Sequence, residues 1–211
     1  MDVDPLPWLR WVRRLQGISQ AGLTWTENEF DRDRYEQVRD VAAEIVAGVA
    51  GLPAQAVADA FVLDAGHPTP KVDVRGAVLH ADRQILLVRE ESDGLWTLPG
   101  GWADPGDAPS VTIAREVREE SGYVVRAARL VAVHERDRRN PVPLPYAVYK
   151  LFFLCELLDD RPLSDPDHEI AELGWFDPLN PPPLSVGRVV ADHLAMVARH
   201  HADPTLPTEF D

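Results

Sequence analysis

An α+β fold preceded by a small all-helical domain is predicted by two changes along the 211 residues. Apolar residues recur at helical spacing through the first part of the chain; after a break at His67-Pro68-Thr69-Pro70 the period shifts toward two. A third observation, 45% hydrophobic against 27% charged residues, provides for a real core and excludes a disordered or fibrous chain. The boundary falls at the break, so residues 1–66 form a helical extension and residues 67–211 the α+β domain.

Trp8, Trp11, Val12 and Leu15 stand at i, i+3, i+4 and i+7, and Tyr35, Val38, Val41, Ala42 and Ile45 follow similar spacing, which predicts two amphipathic helices. A weaker third helix covers 53–63 with Val57, Ala60 and Phe61. Trp8, Trp11 and Trp25 are expected to be core of this helical module. Beyond the break, Val72, Val74 and residues 76–79 predict a strand; residues 85–88 predict a second, paired with it as a hairpin through a polar turn at 81–84. Residues 100–123 read as loop, helix, loop. Asp107 or Ser110 suits the N-cap, Pro109 the first turn, and Gly122 the left-handed position past the end. Further strands are expected over 127–134, 147–156 and 173–176, with a closing helix over 186–200. Pro141, Pro143 and Pro145, and Pro181, Pro182 and Pro183, mark extended surface loops.

Twenty-one basic residues against thirty-five acidic ones leave a net charge of −14, which argues against nonspecific binding to DNA or to an anionic membrane. An acidic protein that handles phosphates needs a cation between the two. Cys155 is the one cysteine, so an internal disulfide framework and a multi-cysteine zinc site are excluded, and a cytoplasmic setting is expected. Asp2 and Asp4 stand where a signal peptide carries basic residues; the longest apolar run, 151–155, is far below the roughly 18 residues of a membrane span.

The chemistry concentrates in the helix that starts near Pro109. At about 100° per residue, Glu116, Glu119 and Glu120 share a sector of roughly 100°, while Val111, Ile113, Ala114 and Val117 lie broadly opposite and face the core. Like charges at this spacing repel unless something positive sits among them. An oxygen-only donor set without histidine or cysteine suits a hard divalent cation, Mg2+ or Mn2+, and backbone carbonyls near Gly100 and Gly101 can add a neutral ligand. The same residues also read as a solvated helix face, with Arg115 and Glu119 as an i, i+4 ion pair.

The wider pattern is Gly101, five residues, Asp107, seven residues, then Arg115-Glu116-Val117-Arg118-Glu119-Glu120-Ser121-Gly122-Tyr123. It resembles the signature of the Nudix hydrolases, enzymes that split a nucleoside diphosphate linked to another moiety. One departure is Asp107, where the family usually carries glutamate. The resemblance implies a Nudix α/β/α sandwich with a mixed sheet from about residue 70 onward. Residues 15–24, 31–36 and 71–75, together with Gly101-Trp102-Ala103-Asp104, are similar to a bacterial subgroup with a helical N-terminal extension that acts on ADP-ribose and on CDP-alcohols such as CDP-choline. In that subgroup the extension helps to form a homodimer.

The resemblance further implies that Glu116, Glu119 and Glu120, with Gly101, hold one to three Mg2+ ions, that Glu119, Glu120 and Arg115 act in catalysis, and that Asp107 and Gly100 support them. Water attacks phosphorus, giving a nucleoside monophosphate and a phosphorylated partner. Glu169 and Glu172 are candidates for the base or a further ligand; Arg75, Arg89 and Glu90 for contact with substrate or metal. Binding of a nucleotide derivative without turnover, and action on RNA, are the competing readings. An isoprenoid diphosphate isomerase is disfavoured because Cys155 sits in an apolar strand.

Overall fold

A computed structural model describes residues 7–51, 53–63, 66–80, 84–140, 144 and 146–211. Its contacts divide it into two compact units, one built on the N-terminal helices and one beginning at Lys71.

The first unit holds α1 (Pro7–Trp25), α2 (Glu29–Ala50) and α3 (Ala54–Leu63). Asn28 caps α2 by accepting from Phe30 N and Asp31 N at 2.9 and 3.3 Å, and Gly51, at φ 68°, ends it in the left-handed conformation. Gly22 of α1 lies against the Tyr35 ring, where a Cβ would stand 2.4 Å from ring carbons, and Ser19 Oγ donates to the Tyr35 carbonyl at 2.6 Å. Leu9, Val12, Ser19 and Gln20 are therefore the buried side of α1. The tryptophans are not core: Trp11 is 56% and Trp25 73% exposed, and Trp8 is half-buried. The helix is where its periodicity places it, but its buried face is rotated from the expected one: Val12 is shared, while Leu9, Ser19 and Gln20 are buried in place of the tryptophans.

The second unit contains β1 (Lys71–Val78), β2 (Ile85–Glu90), β3 (Trp96–Thr97), α4 (Pro109–Ser121), β4 (Val125–Glu135), β5 (Val148–Leu157), β6 (Ile170–Phe176), α5 (Ala191–Ala202) and β7 (Glu209–Phe210). A mixed sheet runs β1-β5-β4-β7, with β1 parallel to β5, β4 antiparallel to β5 and β7 parallel to β4; a second, antiparallel sheet runs β3-β2-β6.

The expected hairpin is thus replaced by two strands in different sheets, joined among the described residues by the bridge Leu79↔Ile85. Residues 73–78 are all buried, so β1 needs cover on both faces and takes a parallel partner from much later in the chain. Most of the expected turn lies outside the described residues, as do Pro141, Pro143 and Pro145. The closing helix begins at Ala191 rather than 186, and the two-residue strands β3 and β7 carry no periodic signal.

Val74 and Val78 of β1 pack with Ile113 and Val117 of α4, Phe153 and Cys155. Ala77 joins Ile85, Leu87, Leu98, Phe152, Leu194 and Val197 in a second cluster. Gly76 lets α4 lie close, since a Cβ there would meet Val117 Cγ2 at 2.8 Å. No helix among the described residues is long and apolar enough to cross a membrane.

Candidate active site

The loop before α4 is laced onto β1. Gly76 N donates to the Pro99 carbonyl at 2.9 Å, Val74 N to the Gly101 carbonyl at 2.8 Å, and Ala103 N to the Val72 carbonyl at 2.9 Å. Gly100 lies at φ 137°, and a Cβ there would stand 2.0 Å from the Val74 carbonyl oxygen, so the turn requires glycine. Gly101 leaves open the space facing Glu116, where a Cβ would come within 3.0 Å of Oε2. Its carbonyl keeps a second lone pair beyond the bond from Val74.

The N-cap of α4 is Ala108, with no side-chain bond; Asp107 and Ser110 both stay exposed and neither caps. Pro109 at the first position, with its φ preset, starts the helix instead. Gly122 ends it at φ 73°, and a Cβ there would stand 2.0 Å from the Ser164 carbonyl oxygen. The loop 163–169 docks on this end, with Leu163 N donating to the Gly122 carbonyl and Asp167 N to the Glu119 carbonyl. That docking brings Glu169 beside β2, where its carbonyl accepts from Glu91 N at 2.8 Å; its own side chain is exposed.

The three helix glutamates differ. Glu120 is 8% exposed, and its Oε2 accepts from Gly100 N at 2.8 Å. Burial pushes its carboxyl up to about 8, against the lowering effects of the Arg75 charge and the Gly100 bond. Glu116 is half-buried and also raised, first by burial, with Arg115 opposing. Glu119 is exposed. Arg115 spans the group, reaching Glu119 at 3.0 Å, Glu116 at 3.1 Å and Asp104 at 3.0 Å.

The solvated ion pair and the carboxylate cluster therefore coexist. As they stand, no three acidic, histidine or cysteine side chains among the described residues converge on a point that could hold an ion. The donor set nevertheless suits a hard cation. Glu116 and Glu120 are carboxylates that burial penalises when charged, and the open space before Gly101 faces one of them.

Arg75, expected to reach the substrate, is 5% exposed, and its guanidinium is committed to Asp73 by two bonds of 2.8 Å and to the Leu98 carbonyl at 3.1 Å. Lys150 Nζ donates to the same Asp73 at 2.9 Å. Burial pushes the Asp73 carboxyl up, but these two cations outweigh it and hold it below its ordinary value. Two cations against one anion leave positive charge behind Glu120 and Glu90, both of which interact electrostatically with Arg75. Arg89 reaches across to Glu172 at 2.8 Å, so these two candidates occupy one another. Glu90 is buried, and Arg188 Nε donates to it at 3.0 Å. Asp73 and Asp104 stand in the segments 71–75 and 101–104 that carry the subgroup resemblance, whereas Lys150 and Arg188 have no regular spacing in the chain that could have marked them.

Residues 7–61 match the family described as "UDP-X-like, N-terminal oligomerisation domain", and residues 69–194 match the NUDIX domain. A Bacillus subtilis (strain 168) protein with the name "Putative ADP-ribose pyrophosphatase YjhB" is 37% identical over 204 residues, covering 97% of both chains. The crystal structure of a UDP-X diphosphatase superposes with a TM-score of 0.61 at 29% identity, over 97% of this chain and 98% of that one. An ADP-ribose pyrophosphatase structure from Streptococcus suis 89-1591 gives a TM-score of 0.61 at 38% identity, over 68% of this chain and 100% of the other. The pinned glycine loop, the glutamate helix and a family match over well more than half of the chain agree: this chain belongs to the Nudix hydrolase family.

Proposed function

We propose that the chain is a Mg2+-dependent pyrophosphohydrolase of ADP-ribose or CDP-choline type, acting as a cytoplasmic homodimer in which residues 1–66 dimerise and residues 67–211 carry the chemistry. The observation that carries this reading is the juxtaposition of Glu116 and Glu120 with the Gly100-Gly101 turn, fixed by the Gly100 N to Glu120 bond of 2.8 Å.

Glu116, Glu119 and Glu120 with the Gly101 carbonyl would hold the metal, Mn2+ serving as a substitute. When bound, the ion neutralises a pyrophosphate and acidifies water. The protein supplies the rest. Gly100 N and the buried charge of Arg75 favour the ionised form of Glu120, which desolvation opposes. Arg115, one-third exposed at the rim, can exchange a carboxylate for a substrate phosphate oxygen. Exposed Glu119 or Glu169 takes the proton of the attacking water. The products are a nucleoside monophosphate and a phosphorylated partner.

The names of the relatives support a substrate with a diphosphate between a nucleoside and a second group, and add UDP-linked compounds to those worth testing. Purified protein with Mg2+, offered ADP-ribose, CDP-choline, UDP-sugars, dinucleoside polyphosphates, nucleoside triphosphates and 5′-capped RNA, is expected to turn over ADP-ribose or CDP-choline fastest. Faster hydrolysis of triphosphates or RNA would contradict the assignment, and binding without product would favour a sensor.

A further inference from the structure

We propose that Trp102 is the platform on which the nucleobase of the diphosphate substrate stacks. The inference rests on the hydrolase reading above and adds the residue that holds the nucleoside half of the substrate.

Trp102 directly follows Gly101, whose carbonyl is the neutral metal ligand of that reading, and stands two residues before Asp104, the rim partner of Arg115. Ala103 N donates to the Val72 carbonyl and Val74 N to the Gly101 carbonyl, so Trp102 and Asp73 form a directly opposed antiparallel pair between those two bonds. Such a pair sets both side chains on one face of the sheet. The neighbours of Trp102 point to the other face: a Cβ on Gly101 would meet Glu116, and Ala103 packs with the cluster that contains Ile113 and Val117 of α4. The backbone on both sides of the indole is thus pinned to β1, and the residue is nonetheless 46% exposed. A large apolar ring is held rigidly, and in reach of solvent, one residue from the proposed metal ligand.

The glutamates, Arg115 and the Gly101 carbonyl offer charge and lone pairs, which address a metal ion and a diphosphate but give no hold on a flat heteroaromatic ring. An indole supplies that hold through its π face, and stacking tolerates changes of base because every base has such a face. One platform therefore serves the adenine of ADP-ribose and the cytosine of CDP-choline alike. Reach agrees with this placement. Consecutive Cα atoms lie about 3.8 Å apart, and in a nucleoside phosphate a single ribose separates the base from the first phosphorus. Two other exposed aromatics of the hydrolase unit are placed elsewhere. Phe210 lies on β7, at the opposite edge of the mixed sheet, and Tyr149 pairs with Val72, which puts it on the face opposite to that of Asp73 and Trp102.

The test is steady-state hydrolysis of ADP-ribose with Mg2+ by the full chain. Trp102→Ala should raise KM roughly 10- to 100-fold and leave kcat nearly unchanged, because the ring is held alike in ground and transition states. Trp102→Phe should keep most of the affinity, whereas Trp102→Leu, which retains apolar bulk without a π face, should not; that contrast separates stacking from packing. 5-Phosphoribosyl diphosphate, which carries a diphosphate but no base, should inhibit the unmodified and Trp102→Ala proteins equally, and Tyr149→Ala should leave KM for ADP-ribose as it was. An unchanged KM in Trp102→Ala, equal losses in Trp102→Phe and Trp102→Leu, weaker inhibition of Trp102→Ala by phosphoribosyl diphosphate, or a rise confined to Tyr149→Ala would each overturn the platform. Calorimetric titration with AMP separates this outcome from failure of the hydrolase reading. AMP binding that weakens in Trp102→Ala, in a protein that turns nothing over, would end that reading and keep the platform; turnover with an unchanged KM would do the reverse.

Discussion

Glu120 stands at the meeting point of opposed forces. Burial drives its carboxyl to about 8, while Gly100 N and the Arg75 charge pull the other way. A group so placed keeps its charge only with help from a neighbour, which is what the proposed cation would supply. Replacing it with glutamine preserves shape and removes the negative charge, so Glu120→Gln is expected to lower kcat by about 10²–10³-fold with an unchanged thermal melt, measured by steady-state hydrolysis beside calorimetry. Gly100→Ala should act the other way, through stability. The left-handed φ and the 2.0 Å approach to the Val74 carbonyl predict a loss of about 3 kcal/mol or more in urea unfolding. The glutamates were legible in the sequence because helical geometry alone sets which of them share a face. Arg75 was not, because its inward turn depends on Asp73 and Lys150, and Lys150 lies on a strand that local pattern cannot pair with β1.

Elements with a strong local signal, such as α4 between Pro109 and Gly122, form where the sequence places them. The β1–β2 pair shows the opposite case: a short connection between two apolar runs imitates a hairpin, and only the need to cover β1 on both faces sends it to β5. The helix α1 lies between these cases, since its existence is local but the choice of its buried face is not. At the far side of the mixed sheet, α5 packs His193 against Phe152, with ring centroids 4.6 Å apart, and against His134 at 5.8 Å. His193 Nδ1 accepts from Val190 N, and burial, with nearby Lys150, pushes the ring down to about 3. Folding thus favours the neutral ring. That stability is fully present above the unfolded value near 6.5 and is lost as pH falls toward about 3, by at most ~1.4 kcal/mol per unit. Urea midpoints measured from pH 7 to 4 should decline accordingly, and His193→Gln should flatten the decline; parallel curves for the two proteins would show that other groups carry it.

The molecule as a whole joins a helical module to a hydrolase domain, and each was foreshadowed by a change of period at the proline-rich break. What the linear pattern left open is the identity of the substrate, because its recognition depends on the loops around the site rather than on the glutamate helix. Dependence on the metal belongs to this scale as well: EDTA should abolish turnover, Mg2+ should restore it, and Mn2+ should substitute, as read by release of nucleoside monophosphate. The most direct measurement is hydrolysis of ADP-ribose and CDP-choline in ¹⁸O-labelled water with Mg2+, the products being weighed by mass spectrometry. Turnover should place one labelled oxygen on a product phosphate, and Glu119→Gln and Glu120→Gln should each suppress it. Label on carbon-bound oxygen, or undiminished turnover in both variants, would contradict water attack on phosphorus directed by these glutamates.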